Sequence, residues 1–146
     1  MNTTSNNDVT QIHELLRDWS QAAQAKDVAR IVSHYAPDIV AFDAVGPLRF
    51  EGREAYGAHW QMCMQMCAGM SLFEVHQPTI TVSGDLGLGF YLCHCGGTDE
   101  QGQEHRSWMR VSQGYRKLQG RWTIIHEHFS APFEMESGKA QFDLQP

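Results

Sequence analysis

Residues 105–130 read HRSWMRVSQGYRKLQGRWTIIHEHFS, and the fold follows from how this stretch is paired. Two runs rich in Val, Ile, Trp, Tyr and Phe flank Leu118-Gln119-Gly120-Arg121, where glycine supplies the positive φ of a tight hairpin turn. The pattern predicts two long antiparallel strands. An even loop centred on Gln119-Gly120 would pair Lys117 with Trp122, Tyr115 with Ile124, Gln113 with His126 and Val111 with His128. Paired residues share a face of a sheet. One face would then carry Ser107, Met109, Val111, Gln113, Tyr115, Ile124, His126, His128 and Ser130. The other would carry Arg106, Trp108, Arg110, Ser112, Ile125, Glu127 and Phe129. Two His, a Gln and a Ser among apolar neighbours match the floor of a small-molecule pocket. A solvated face with satisfied histidines would read the same way.

Upstream of the hairpin, Leu72–Val82 and Leu86–Thr98 read as two more strands of a meander, with turns at Ser83-Gly84-Asp85 and Asp99-Glu100-Gln101-Gly102. The first half is helical. Residues 1–7 are Asn/Thr/Ser-rich and read as a disordered N-terminus. Asp8 would cap a helix carrying Val9, Ile12, Leu15, Leu16, Trp19, Ala22 and Ala23 at spacings of three and four, ending near Lys26. Asp27 would cap a short second helix through Tyr35, stopped by Ala36-Pro37. A strand over Asp38–Ala44, a return at Leu48–Phe50 and a third helix from Gly52 to about Cys67 complete the order. That helix presents Tyr56, His59 or Trp60, Cys63 and Cys67 along one stripe. Met62, Met64, Met66 and Met70 make the region Met-rich, which suits adaptable packing. Helices first and a meander last predict an α+β domain with helices on one face of a curved sheet.

The chain has 146 residues, a length suited to one domain with a core of its own. A net charge of −6 with only 11 Lys+Arg gives no basic stripe for a phosphate backbone, so no nucleic-acid partner is expected. No run approaches a membrane span and no signal peptide is legible, which points to a cytoplasmic protein with no membrane partner. In that compartment Cys63, Cys67, Cys93 and Cys95 are expected as thiols. Their spacings, even with His94, His126 or His128 added, do not match the pairs of structural zinc sites, so neither metal nor cofactor is expected.

Two segments carry a family resemblance. Residues 25–56, AKDVARIVSHYAPDIVAFDAVGPLRFEGREAY, are similar to the ketosteroid isomerase segment in which a short helix ending in Tyr-Ala-x-Asp leads to a strand ending in Asp and then a Gly-Pro turn. Residues 120–133, GRWTIIHEHFSAPF, resemble the last strand of SnoaL-like proteins and of the association domain of calmodulin-dependent kinase. The resemblance implies the cone-shaped fold of nuclear transport factor 2-like proteins, with three helices on a curved, mainly antiparallel sheet. It implies a SnoaL-like domain over 8–133 followed by a tail over 134–146. It also implies a cofactor-free isomerase, cyclase or dehydratase acting on a small, apolar, carbonyl-containing ligand, or alternatively a dimeric binding or association module.

By the same resemblance, Asp43 falls at the isomerase's general base, in the apolar setting Val40-Ala41-Phe42-Asp43-Ala44-Val45. Asp at a strand end also serves local turn bonding. The family's oxyanion donors fall on Trp19 and near Gln113. His126 is the expected second acid/base or orienting donor. Tyr56, Trp60, Met109 and His128 complete the expected ligand-binding set around Trp19 and Gln113. A homodimer is expected through the sheet face bearing Arg106, Trp108, Arg110, Ile125 and Phe129.

Overall fold

The computed structural model describes residues 3–69 and 71–146, so Met70 lies outside the described residues, as do the first two residues of the N-terminal segment. Three helices precede the long strands: α1 (Thr3–Gln24), α2 (Val28–Val32) and α3 (Arg53–Gln65). Six strands, β1 (Tyr35–Phe42), β2 (Phe50–Glu51), β3 (Ser71–Ser83), β4 (Leu86–Thr98), β5 (Glu104–Leu118) and β6 (Arg121–Ser130), form one sheet in the order β2-β1-β6-β5-β4-β3. Every pairing is antiparallel except β1 with β6. This is the expected α+β architecture.

The apolar stripe of α1 does what its spacing predicts. Ile12, Leu15, Leu16, Trp19, Ala22 and Ala23 are all buried, and the helix packs mainly on β3. Its start differs, because helix continues upstream to Thr3 and Asp8 sits inside it. Asp8 is tied to the hairpin tip instead. Its Oδ1 accepts Trp122 Nε1 at 3.0 Å and Lys117 Nζ at 3.0 Å.

Asp27 does cap α2, accepting the Arg30 N–H at 3.2 Å. The helix stops at Val32 rather than running through Tyr35. Tyr35 already belongs to β1, paired with Ile124, because the Ile124 N–H is bonded to His34 O and its own hydroxyl has a buried acceptor across the sheet. The β1/β6 register shifts between Tyr35 and Val40, where Pro37 has no N–H to give.

The decisive departure lies in β6. Pairing starts as predicted, with Lys117 opposite Trp122 and Tyr115 opposite Ile124. A bulge then inserts one residue, so Gly114 faces His126, Gln113 faces Glu127, Ser112 faces His128 and Val111 faces Phe129. One extra residue inverts every side chain beyond it. Glu127 and Phe129 therefore point into the core, and the expected inward placement of His126 and His128 is corrected. Packing explains the outcome. The even register would bury two imidazoles and expose Phe129, whose ring instead lies 6.3 Å from that of Trp19 and 6.4 Å from those of Trp60 and Phe73.

Candidate active site: an apolar cavity above a buried carboxylate

Asp43 directly follows β1, and its Oδ1 accepts the Val45 N–H at 3.1 Å, a local turn bond that aims the other oxygen inward. Gly52, at φ +91°, turns the chain into α3 in a conformation that disfavours any side chain. The helix then lays Tyr56, His59, Trp60 and Cys63 along its inner stripe. His59 Nε2 lies 3.3 Å from Asp43 Oδ2, and only 4% of the His59 side chain and 16% of the Asp43 side chain is exposed. Cys63 Sγ is 3.6 Å from the same imidazole nitrogen. Burial, helped by the Asp43 carboxylate, pushes the Cys63 thiol up, so this pair does not make a thiolate nucleophile.

Asp43, His59 and Cys63 form one wall of a cavity of about 330 Å³ between α3 and the ends of β3, β4 and β5. Trp60, Phe73, Met109 and Phe129 line it, and most of its surface is apolar. A second acid/imidazole pair also lines it: His105 Nε2 is 2.7 Å from Asp99 Oδ2. That histidine and the turn N–H groups of Gln103 and Gln101 hold Asp99 below the usual carboxylate range.

Next to this cavity lies a closed polar network. Glu127 is fully buried and accepts Tyr56 Oη–H at 2.5 Å, Tyr35 Oη–H at 2.8 Å and Gln113 Nε2–H at 2.6 Å. Tyr35 Oη in turn accepts Trp19 Nε1–H at 3.1 Å and Trp60 Nε1–H at 3.0 Å, and Tyr115 Oη–H donates to Gln113 Oε1 at 2.7 Å. Burial pushes the Glu127 carboxyl up to about 7, against the pull of its three donors; the Asp43 charge adds to the rise. Desolvation and the Glu127 charge also push the Tyr35 and Tyr56 hydroxyls up, so both remain protonated donors.

The expected site residues thus separate into three groups. Asp43, Trp60 and Met109 line the cavity. Trp19, Tyr56 and Gln113 belong to the Glu127 network. His126 and His128 lie on the outer face of the sheet, where both rings pack on Phe42 and His126 Nδ1 is 2.6 Å from Val40 O. Two residues of these groups stand outside the expected set. His59 was visible on the α3 stripe, whereas Glu127 was hidden by the bulge.

Three helices covering one face of a curved six-stranded sheet, with a cavity at its end, define the nuclear transport factor 2-like cone. The chain belongs to the SnoaL-like domain family, whose match runs over residues 12–134. It is similar to a nuclear transport factor 2-like protein of unknown function from Pseudomonas putida, with 47% identity, 97% of this chain and 99% of that chain covered, and a TM-score of 0.90. It also resembles a candidate dehydratase of the same superfamily from Streptomyces avermitilis, at 15% identity, 86% and 97% coverage and a TM-score of 0.76. The association domain of CaMKII from C. elegans matches at 18% identity, 88% and 99% coverage and a TM-score of 0.69. At these two identities the likeness bears on fold alone. No match is found among curated proteins. No helix among the described residues is long and apolar enough to cross a membrane.

Proposed function

We propose that the chain is a cofactor-free isomerase, cyclase or dehydratase that moves a proton on a small, apolar, carbonyl-containing compound. The observation that carries this reading is the Asp43–His59 contact of 3.3 Å in the wall of an apolar cavity. A carboxylate beside an imidazole can take a proton from a carbon next to a carbonyl and return it elsewhere, and an apolar cavity strengthens both steps by excluding water. Here His59 takes the part that the sequence suggested for His126.

Hydrogen–deuterium exchange tests it without a known substrate. Wild-type protein in D2O, given a panel of cyclic and aryl ketones, is expected to accelerate exchange at carbons next to the carbonyl. Asp43→Asn should lose at least about 100-fold of that rate, the range of a general base, with its melting temperature nearly unchanged. A second reading, capture without turnover, has one observation in its favour. Glu127, the carboxyl lifted to about 7, is saturated by its three donors and does not line the cavity. Ligand-induced thermal shifts with no exchange in any panel member would select that reading.

We also infer a cytoplasmic homodimer formed through the outer face of the sheet. Phe42, Leu88 and Phe90 are 38%, 52% and 48% exposed there, beside His126 and His128. The surface named from the sequence shifts accordingly. Phe129 leaves it, while Arg106, Trp108, Arg110 and the half-buried Ile125 stay on or beside it. Leu88→Glu should convert the dimer to a monomer in sedimentation at micromolar concentration; a monomeric wild type would refute the dimer.

A further inference from the structure

We propose that the outer face of the β3/β4 edge binds one divalent transition-metal ion through Glu74, His76 and His94. No linear spacing reveals this set. Glu74 and His76 are two apart on β3 and share a face, and the antiparallel register places His94 directly opposite Glu74. The neighbouring Phe73 and Cys93 are buried on the inner face, so the three side chains project away from the cavity. His94 also turns away from Cys93 and Cys95, so it forms no metal site with them.

The ligating atoms already sit near a coordination shell. Glu74 Oε1 is 3.2 Å from His94 Nδ1 and 3.5 Å from His76 Nε2, and the donor atoms of all three residues lie within 4.8 Å of one another. A zinc ion about 2.0–2.1 Å from each donor would hold tetrahedral neighbours about 3.4 Å apart. Two of the three edges therefore need almost no movement. A small rotation of His76, 42% exposed at its side chain, closes the third.

The surroundings favour a site over a chance cluster. Trp108 stacks on His94, with centroids 4.4 Å apart and planes 10° from parallel, and its ring lies 4.9 Å from that of His76. Its backbone N–H is fixed in turn to Phe142 O at 2.9 Å, so the tail braces this wall. A locked imidazole loses less entropy on ligation. Two imidazoles and one carboxylate select Zn²⁺, Co²⁺, Ni²⁺ or Cu²⁺ over Ca²⁺ and Mg²⁺, and leave positions for water on the exposed side. A bulge follows His76 at once, with Gln77 at φ +54°, and an ion clamped across the two strands would hold this irregular edge in place.

Titration of the full-length protein with Co²⁺ tests the site. One equivalent should bind in the micromolar range with the visible absorption of a nitrogen/oxygen environment, be displaced by Zn²⁺, and raise the melting temperature. His94→Ala should weaken binding at least about 10-fold, and Glu74→Gln should weaken it as well. Cys63→Ser and Cys95→Ser should leave it unchanged. The proposal is overturned by saturation only in the millimolar range, by binding that survives His94→Ala, or by the intense near-ultraviolet bands of cobalt–thiolate bonds, which would assign the ion to the cysteines.

Discussion

Glu127 and Asp43 are both inward-facing carboxylates, yet they sit in opposite surroundings. Glu127 is sealed, with three donors from Tyr35, Tyr56 and Gln113. Asp43 has one local N–H bond and one imidazole neighbour, and it borders a cavity of about 330 Å³. The contrast separates two uses of buried polarity. A buried network of this kind specifies a single packing of α3, β1, β5 and β6, and its carboxylate is occupied by three donors away from any substrate. A partly satisfied carboxylate on an apolar cavity keeps a lone pair for chemistry.

The most severe way to break the contrast is to empty the sealed site. Glu127→Ala would leave two buried hydroxyls and an amide without their acceptor, plus a void. The expected loss is about 3–5 kcal/mol, enough to compromise folding of a domain this size. Glu127→Gln should cost far less, of order 1 kcal/mol, because the Gln113 amide can flip to accept from the new amide and donate to Tyr115 Oη instead of accepting from it. Urea melts of the two variants would check the ordering, and equal losses would show that the charge, rather than the acceptor, holds the network.

The next largest effect is the pH dependence of stability. The Glu127 carboxyl lies at about 7 in the folded protein against an ordinary 4.5, so the folded state binds its proton more tightly than the unfolded chain does. Its contribution is fully present below pH 4.5 and is lost as pH rises through about 7, by of order 3 kcal/mol. Asp18 acts in the opposite direction. Arg30 and His34 hold it at about 2, so its contribution is present above its ordinary 3.8 and is lost as pH falls toward 2. Maximum stability is therefore expected at about pH 4, between the two ordinary values, with a decline as pH rises through about 7 that Glu127→Gln abolishes. Asp43→Asn should flatten the same decline in part, since the Asp43 charge helps to raise Glu127. Melting curves at half-unit pH steps would show whether the two carboxylates are coupled.

The sequence made one of these regions legible and concealed the other. Asp43 was accessible because its strand and the Gly-Pro turn after it are local features, and the α3 stripe brought His59 within view by helical periodicity alone. Glu127 depended on register over a long hairpin. Turn chemistry set the pairing correctly as far as Tyr115–Ile124, but a bulge is decided by what the core will accept. The signal lay in composition: shifting the strand by one residue exchanges two imidazoles for Phe129 and a carboxylate that Tyr35, Tyr56 and Gln113 can satisfy. Because those three partners lie on three other elements, the exchange could be weighed only once all were assembled. The Glu74–His76–His94 cluster was hidden for a similar reason, since it spans two strands.

The smallest expected effect probes Trp60, which belongs to both regions. Trp60 donates Nε1–H to Tyr35 at 3.0 Å, while its ring lines the cavity. Trp60→Phe keeps an aromatic wall but removes that donor. Tyr35 Oη would retain the Trp19 N–H and its own bond to Glu127, so the loss should be only about 1 kcal/mol. The decline in stability toward pH 8 should steepen slightly, because one indirect support of the ionised carboxylate is gone. If exchange activity falls by more than the added cavity space explains while the pH profile stays fixed, Trp60 acts on substrate directly. If the pH profile moves and activity does not, the network is structural and the cavity works without it, which is the division of labour that the two carboxylates imply.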